Sequence, residues 1–271
     1  SLLITFHEHP RLVLSKNFSG YITERGKKVE LLEDSGLDYI WYIPFTGAVY
    51  RKSGEDFIRH VERYFDVREI VVGEDFRFGY RARATVSELE EIGRRYGFAV
   101  EALPRLHSGR QEISSSAVRQ AIRDGDLSTV RRLMGRPYSI VSEVIHGKGF
   151  GSSVLHVPTA NIDASNKVVP PSGVYVTCVV CGKKAYAAVT NLGFAPTVRS
   201  HGHRVVESFL LDFKGNLYGR TIEVFFLKFL RREVEFDTHE ALRRQIERDI
   251  AKARRYFKTR RSCASLSVHR L

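Results

Sequence analysis

The sequence predicts a doubly wound α/β domain followed by a small antiparallel β-barrel that carries a C-terminal helix. Strand-like and helix-like stretches alternate through the first half, the mark of a parallel sheet covered by helices. From Tyr138 onward, short β-rich runs follow one another with glycine and proline between them and no helices. A long amphipathic stretch then runs from Asp237 to Phe257.

In the first half, LLITF, DYIWYIPF and EIVVG read as strands. SGEDFIRHVERYF reads as a helix capped by Ser53, with Phe57, Ile58, Val61 and Phe65 on one face. Thr85 and Glu88 have the spacing of a capping box for TVSELEEIGRRYG, and 98–103 follows as a strand. The short helix DLSTVRRLM ends at Gly135-Arg136-Pro137, since glycine closes a helix and proline does not continue one. The domains are therefore placed at 1–136 and 137–271. In the second, YSIVSEVIHG, GVYVTCVV, KAYAAVTNLG, RVVESFLLDF and RTIEVFFLKFL read as barrel strands. The last helix is given Asp237 as its cap and Glu240 as the capping-box partner, with Leu242, Ile246, Ile250, Ala253 and Phe257 as the stripe that docks on the barrel.

With 271 residues, 43% apolar and 27% charged, the chain can bury a core and belongs with globular proteins. Its apolar runs fall far short of the roughly 20 residues of a spanning helix, and no secretory signal pattern opens it, so no membrane and a cytoplasmic location are the expectation. A net charge of +12 favours polyanions without choosing among nucleic acid, acidic lipid and phosphorylated small molecules. The basic cluster from Lys252 to Arg261 is what a solvated helix face also shows. Cys178 and Cys181 sit at an odd offset in a strand, so they point to opposite faces, and with Cys263 they are expected to stay reduced.

Several segments offer chemistry. GKGFGSS brings Gly147, Gly149 and Gly151, whose backbone can approach an anion closely; a plain hairpin loop shows the same spacing. PTANI adds Thr159 and Asn161, hard oxygen donors suited to Mg²⁺ bound with phosphates, or equally an ordinary capped turn. Glu207 stands in the apolar run VVESFLLDF, where burial would raise its pKa and fit it for base work, unless it points to solvent. In ISSSAVR, Ser115 and Ser116 start a helix whose free amides attract phosphate, and Arg119 adds a positive fork one turn on.

In order, G-x-G…PTANI, GVY (173–175), NLGFAPT (191–197), VESFLLDF with NLYG (206–219) and FLRREVEF (229–236) resemble the riboflavin kinase module. That resemblance implies a six-stranded barrel that moves the γ-phosphoryl group of ATP onto riboflavin, giving FMN. It implies that Thr159 and Asn161 hold Mg²⁺ and phosphate, that the three glycines underlie the nucleotide, that Glu207 is the base and that Arg231 belongs to the flavin flap. The sequence departs from that pattern at Leu155-His156-Val157 before PTAN and at Phe209, where the family often has histidine.

VVGEDFRFG (71–79), RRYGFAVEALP (94–104) and EISSSAVRQAIRDGDLSTVRRLMGRPY (112–138) resemble the adenylyltransferase half of bacterial bifunctional FAD synthetases. This implies a Rossmann-like nucleotidyltransferase domain that joins FMN to ATP, with Asp75, Phe76, Phe78, Ser115, Ser116 and Arg119 on the nucleotide and flavin. Phe6 and His9-Pro10 match a segment after the family's second strand. The family's first strand and its G-x-F-D-x-x-H-x-G-H segment are not in this sequence, so the expectation is almost no FAD synthesis and a loosened sheet. Two other readings stay open: a kinase with an inert first domain, and a nucleic-acid binder using its basic helix, which has no aromatic stacking motif to support it. The expected partners are riboflavin, FMN and ATP, without nucleic acid.

Overall fold

The computed structural model describes residues 1–8, 10, 12, 18–146, 159–194, 204–259 and 263. Two compact units emerge: Ser1–Phe18 with Leu37–Ile113, and Ser19–Gly36 with Ser114–Leu271.

The first unit alternates as its sequence requires: β1 (Leu2–Phe6), β2 (Tyr39–Ile43), α2 (Gly47–Tyr50), α3 (Gly54–Glu62), β3 (Glu69–Gly73), α4 (Val86–Tyr96) and β4 (Ala99–Leu103), then a short hairpin, β5 (His107–Ser108) and β6 (Gln111–Glu112). The caps fall where the sequence puts them. Ser53 accepts from the Asp56 amide at the start of α3, and Thr85 accepts from the Glu88 amide at the start of α4. Each such cap stabilises its helix by about 1 kcal/mol. Gly97 then ends α4 in the left-handed conformation. Ile58, Phe78, Leu89, Ile92 and Phe98 form the core.

Pairing is parallel, as expected, but it comes in two separate pieces: β1 with β2, and β3 with β4. A cavity of about 1320 Å³ is lined by Leu2, Leu3 and Ile4 of β1 and by Ile70, Val71 and Val72 of β3. Consecutive residues of a strand point to opposite faces, so lining by both parities means that the cavity meets each strand along its edge. Among the described residues the parallel pairing is thus divided, where the sequence reading expects a loosened sheet.

The second unit holds α1 (Arg25–Glu33), α5 (Ser115–Asp124), α6 (Leu127–Met134), the barrel and α7 (His239–Thr259). The sequence places residues up to 136 in the first domain because a helix stops there. Packing groups α5 and α6 with the barrel, and Gly125 between them lies against Pro171. Segment 19–36 joins the same unit through charge. Glu24 accepts from the Val141 amide and pairs with Lys167, Lys27 pairs with Glu223, and Arg136 donates to Thr23 and Ser139. Burial lowers the pKa of Arg136, the carboxylates Glu223 and Glu24 opposing that effect. Helix α1 carries no strong apolar stripe, and the sequence reading did not find it.

The barrel is closed, in the order β10-β11-β8-β7-β12-β9, with β7 (Ser139–Ile145), β8 (Ala160–Asp163), β9 (Gly173–Cys181), β10 (Lys184–Phe194), β11 (Arg204–Leu210) and β12 (Thr221–Arg231). Five of these runs are read directly from the sequence, and PTANI supplies the sixth strand. Alternate residues fill the interior: Ile162, Val206 and Leu192 are fully buried, and so are Thr177, Thr190 and Ser208, whose hydroxyls form a ladder of 2.6 and 2.8 Å bonds. Helix α7 lays Ile250, Ala253 and Phe257 on the outside of the barrel, as the stripe predicts. Its cap is Thr238, one residue later than expected, accepting from the Ala241 amide at 3.2 Å. Beyond α7 the chain brings Cys263 to Cys178, with Cα atoms 5.8 Å apart, as a disulfide. The expectation of separate thiols fails here because the pairing joins residues 85 apart through a helix whose direction the spacing does not encode.

Candidate active site

The kinase-like residues gather on the outer face of the barrel. On β11 the interior positions are Val206, Ser208 and Leu210, which leaves Glu207 on the outside, half-buried rather than sealed. Register then sets its neighbours: Asn161 of β8 on one side and Asn191 of β10 on the other. Directly opposed residues in antiparallel strands hold their side chains together on one face. Three adjacent strands thus carry a row, Asn161, Glu207, Asn191.

Thr159, just before β8, donates its hydroxyl to Glu207 Oε1 at 2.7 Å, and Asn161 Nδ2 approaches Thr159 Oγ1 at 3.5 Å. Asn161 is only 6% exposed. Three of the expected side chains therefore converge. Gly147, Gly149 and Gly151 lie outside the described residues, as do Leu155, His156 and Val157. Phe209 lies two residues along from Glu207 and packs with Val189 and Ile250 beneath α7, so this departure from the family pattern is an element of the helix contact.

Arg231 ends β12, where its Nε donates to Asp249 Oδ2 of α7 at 2.8 Å. Asp249 is 1% exposed and is also held by Gln245 at 3.0 Å. A second guanidinium nitrogen of Arg231 donates to the Arg232 carbonyl. Arg231 thus anchors segment 232–236 to the helix.

Sequence reasoning passed over two residues. Asn191 Nδ2 donates to Glu233 Oε1 at 2.9 Å, and the carboxylate of Glu233 lies so close over Gly193 that a Cβ there would collide with it. The available signal was the N-x-G spacing, which puts the amide and a bare backbone position on the same face of β10.

The adenylyltransferase-like residues fall into two groups. In the first unit, Asp75 follows β3 and pairs with Arg105 at 2.9 Å. Hydrogen bonds that Arg105 donates to the Glu112 carboxylate, with the charge of Asp75, hold Arg105 above its ordinary pKa. Phe76 and Phe78 stack with centroids 5.4 Å apart; Phe78 is a core residue, Phe76 is 37% exposed, and both line the cavity. In the second unit, Ser114 caps α5 by accepting from Ala117, which leaves Ser115 and Ser116 exposed in the first turn. Arg119 folds back to donate to the Ser115 carbonyl at 3.3 Å.

The family model described as riboflavin kinase matches residues 134–257, and the one described as FAD synthetase matches residues 1–117. A bifunctional riboflavin kinase/FMN adenylyltransferase of Buchnera aphidicola subsp. Schizaphis graminum is 34% identical over 95% of this chain and 84% of its own length. The chain belongs to the bifunctional riboflavin kinase/FMN adenylyltransferase family. A Pseudomonas fluorescens relative of the same description is 31% identical over all of this chain and 85% of its own length. One solved structure, described as a macrolide-efflux protein from Streptococcus pneumoniae, is 26% identical with a TM-score of 0.81, over 93% of this chain and 83% of that one. Among the described residues of this family member, no helix is long and apolar enough to cross a membrane.

Proposed function

We propose that this chain phosphorylates riboflavin to FMN at the Glu207 site and adenylylates FMN to FAD through its adenylyltransferase-like residues, with ATP as co-substrate in both steps. The observation that carries the kinase half is the hydrogen bond from Thr159 to Glu207, with Asn161 beside it in register. It supports reading Glu207 as the proton acceptor, with Thr159 and Asn161 beside it as oxygen donors suited to a phosphate-bound cation.

Mg²⁺ fits that donor set. It takes few protein ligands and completes its shell with phosphate oxygens and water. Among the described residues no group of three or more His, Cys, Asp or Glu forms a cage of the kind other metals favour. Thr159 Oγ1 and Asn161 Oδ1 would hold the ion, which when bound offsets the negative charge of the phosphates. The protein's own part is positioning. The ribityl hydroxyl oxygen bonds to the γ-phosphorus of ATP, the bond to the bridging oxygen breaks, ADP leaves, and Glu207 receives the hydroxyl proton. Gly147, Gly149 and Gly151 would support the nucleotide, and Arg231 steadies the segment over the flavin through Asp249.

In the second reaction a phosphate oxygen of FMN attacks the α-phosphorus of a further ATP and pyrophosphate leaves. The first-turn amides of Ser115 and Ser116, at the positive end of α5, and the guanidinium of Arg119 suit phosphate, while Asp75, Phe76 and Phe78 supply the nucleotide-side loop. The decisive test is FMN formation from riboflavin and ATP, followed by chromatography. Glu207→Gln should slow it by roughly 10²- to 10⁴-fold, the usual scale for a general base. Turnover equal to the parent would remove Glu207 from that role.

A further inference from the structure

Asn191 presents a problem in the site. Its Oδ1 is buried and has no hydrogen-bond partner among the described residues. Buried polar atoms are nearly always paired, and leaving one unpaired carries a substantial penalty. The orientation of the amide is not arbitrary. An ionised carboxylate only accepts hydrogen bonds, so Glu233, which takes the Asn191 amide at 2.9 Å, must face Nδ2 and thereby turns Oδ1 away from itself. The neighbour across the strand pair is Glu207, another acceptor when ionised. Neither carboxylate can satisfy Oδ1. The missing donor has to come from outside the described protein.

Resting on the kinase reading above, we propose that Asn191 is a specificity-determining residue that accepts a hydroxyl of the substrate's polyol chain, with Glu233 as the positioning residue that aims its carbonyl. Chemistry and spacing both favour a polyol. The row Asn161, Glu207, Asn191 crosses three neighbouring strands, so it spans roughly 10 Å at the usual interstrand spacing. A chain of adjacent hydroxyls can lie along such a row, with the reacting hydroxyl on Glu207 and a second one donating to Asn191. Gly193 completes the device, because the bare backbone there is what lets the Glu233 carboxylate come down beside the amide.

The experiment compares riboflavin with lumiflavin, which carries the flavin ring without the polyol. Asn191→Leu removes the acceptor and should raise the half-saturating riboflavin concentration in the FMN assay roughly 10- to 100-fold, the range for losing a partner to a substrate hydroxyl. Glu233→Gln changes an exposed side chain, frees the amide to turn over, and should produce a smaller rise in the same direction. Gly193→Ala, which displaces Glu233 without touching either polar group, should behave like Glu233→Gln. In all three the half-saturating ATP concentration and lumiflavin affinity, read by fluorescence, should stay at parent values. Parent-like riboflavin dependence in Asn191→Leu and Glu233→Gln overturns the inference. So does an equal loss for riboflavin and lumiflavin, which would make the pair structural. A parent that binds riboflavin and ATP but forms no FMN removes the kinase reading itself, and this inference falls with it.

Discussion

The barrel and the parallel strands of the first unit start from similar sequence material and end in different conditions. GVYVTCVVC and EIVVG are both β-branched runs bounded by turn residues. In β9 the first seven residues are buried, whereas β3 alternates between half-buried and exposed and contains no buried residue. The difference is closure. Among the described residues every barrel strand has a partner strand on each side, so the barrel is closed. Among the described residues β1 and β3 each pair on one side only, and both line a cavity. Parallel strands normally owe their stability to burial on both faces. Strand propensity is therefore a poor guide to strand stability; the number of paired edges decides it.

That contrast can be broken most directly by amide hydrogen exchange. Amides of β9 should be protected at least about a hundredfold more strongly than those of β1 and β3, since strands with open edges exchange through local opening. Equal protection would mean that the divided sheet is as firmly held as the barrel.

A barrel without slack should also punish a small intrusion. Gly173 has φ +149°, and a Cβ there would sit 2.5 Å from the Arg231 carbonyl oxygen. Gly173→Ala should cost about 2 to 3 kcal/mol in denaturant unfolding of the second unit. Gly36, also at positive φ but with open space around it, should cost only about 1 kcal/mol on the same substitution. Similar losses at the two positions would show that backbone conformation, and not barrel packing, sets the penalty.

The smallest effect belongs to a helix cap beside the barrel. Asp126 accepts from Ser128 and the Thr129 amide, and these bonds hold its pKa at about 2, below the usual 3.8. A carboxylate with a depressed folded-state pKa stabilises fully above the unfolded value and loses that contribution as pH falls through the folded one. Asp126→Ala should therefore cost about 1 kcal/mol near neutrality, with the gap to the parent closing between about pH 4 and pH 2. Thermal melts at several pH values measure it, and a gap that does not vary with pH would show that the charge contributes nothing.

Local signals made much of this architecture legible. Thr85 and Ser53 announce their helices because a cap and its recipient amide are three residues apart. Ile250, Ala253 and Phe257 announce a docking face because helical periodicity lies within one element. Glu207, Thr159 and Asn161 stood out as carriers of chemistry for the same reason: each is a polar residue set against a local apolar or turn pattern. The partners of Glu207 did not follow from pattern alone, because Asn191 and Asn161 meet it through strand register. Glu233 reaches Asn191 across 42 residues, and Asp249 reaches Arg231 through a helix packed on the barrel's outside. Cys263 came to Cys178 in the same way. The sequence by itself determined the strands and helices that carry a clear cap or apolar period, which faces those bury and which residue types are available for phosphoryl transfer. Tertiary structure decided which strand edges are closed, where the parallel sheet divides and which amide meets which carboxylate. Those outcomes depend on pairing between distant segments, and hydrophobic periodicity within a segment carries no information about its partner.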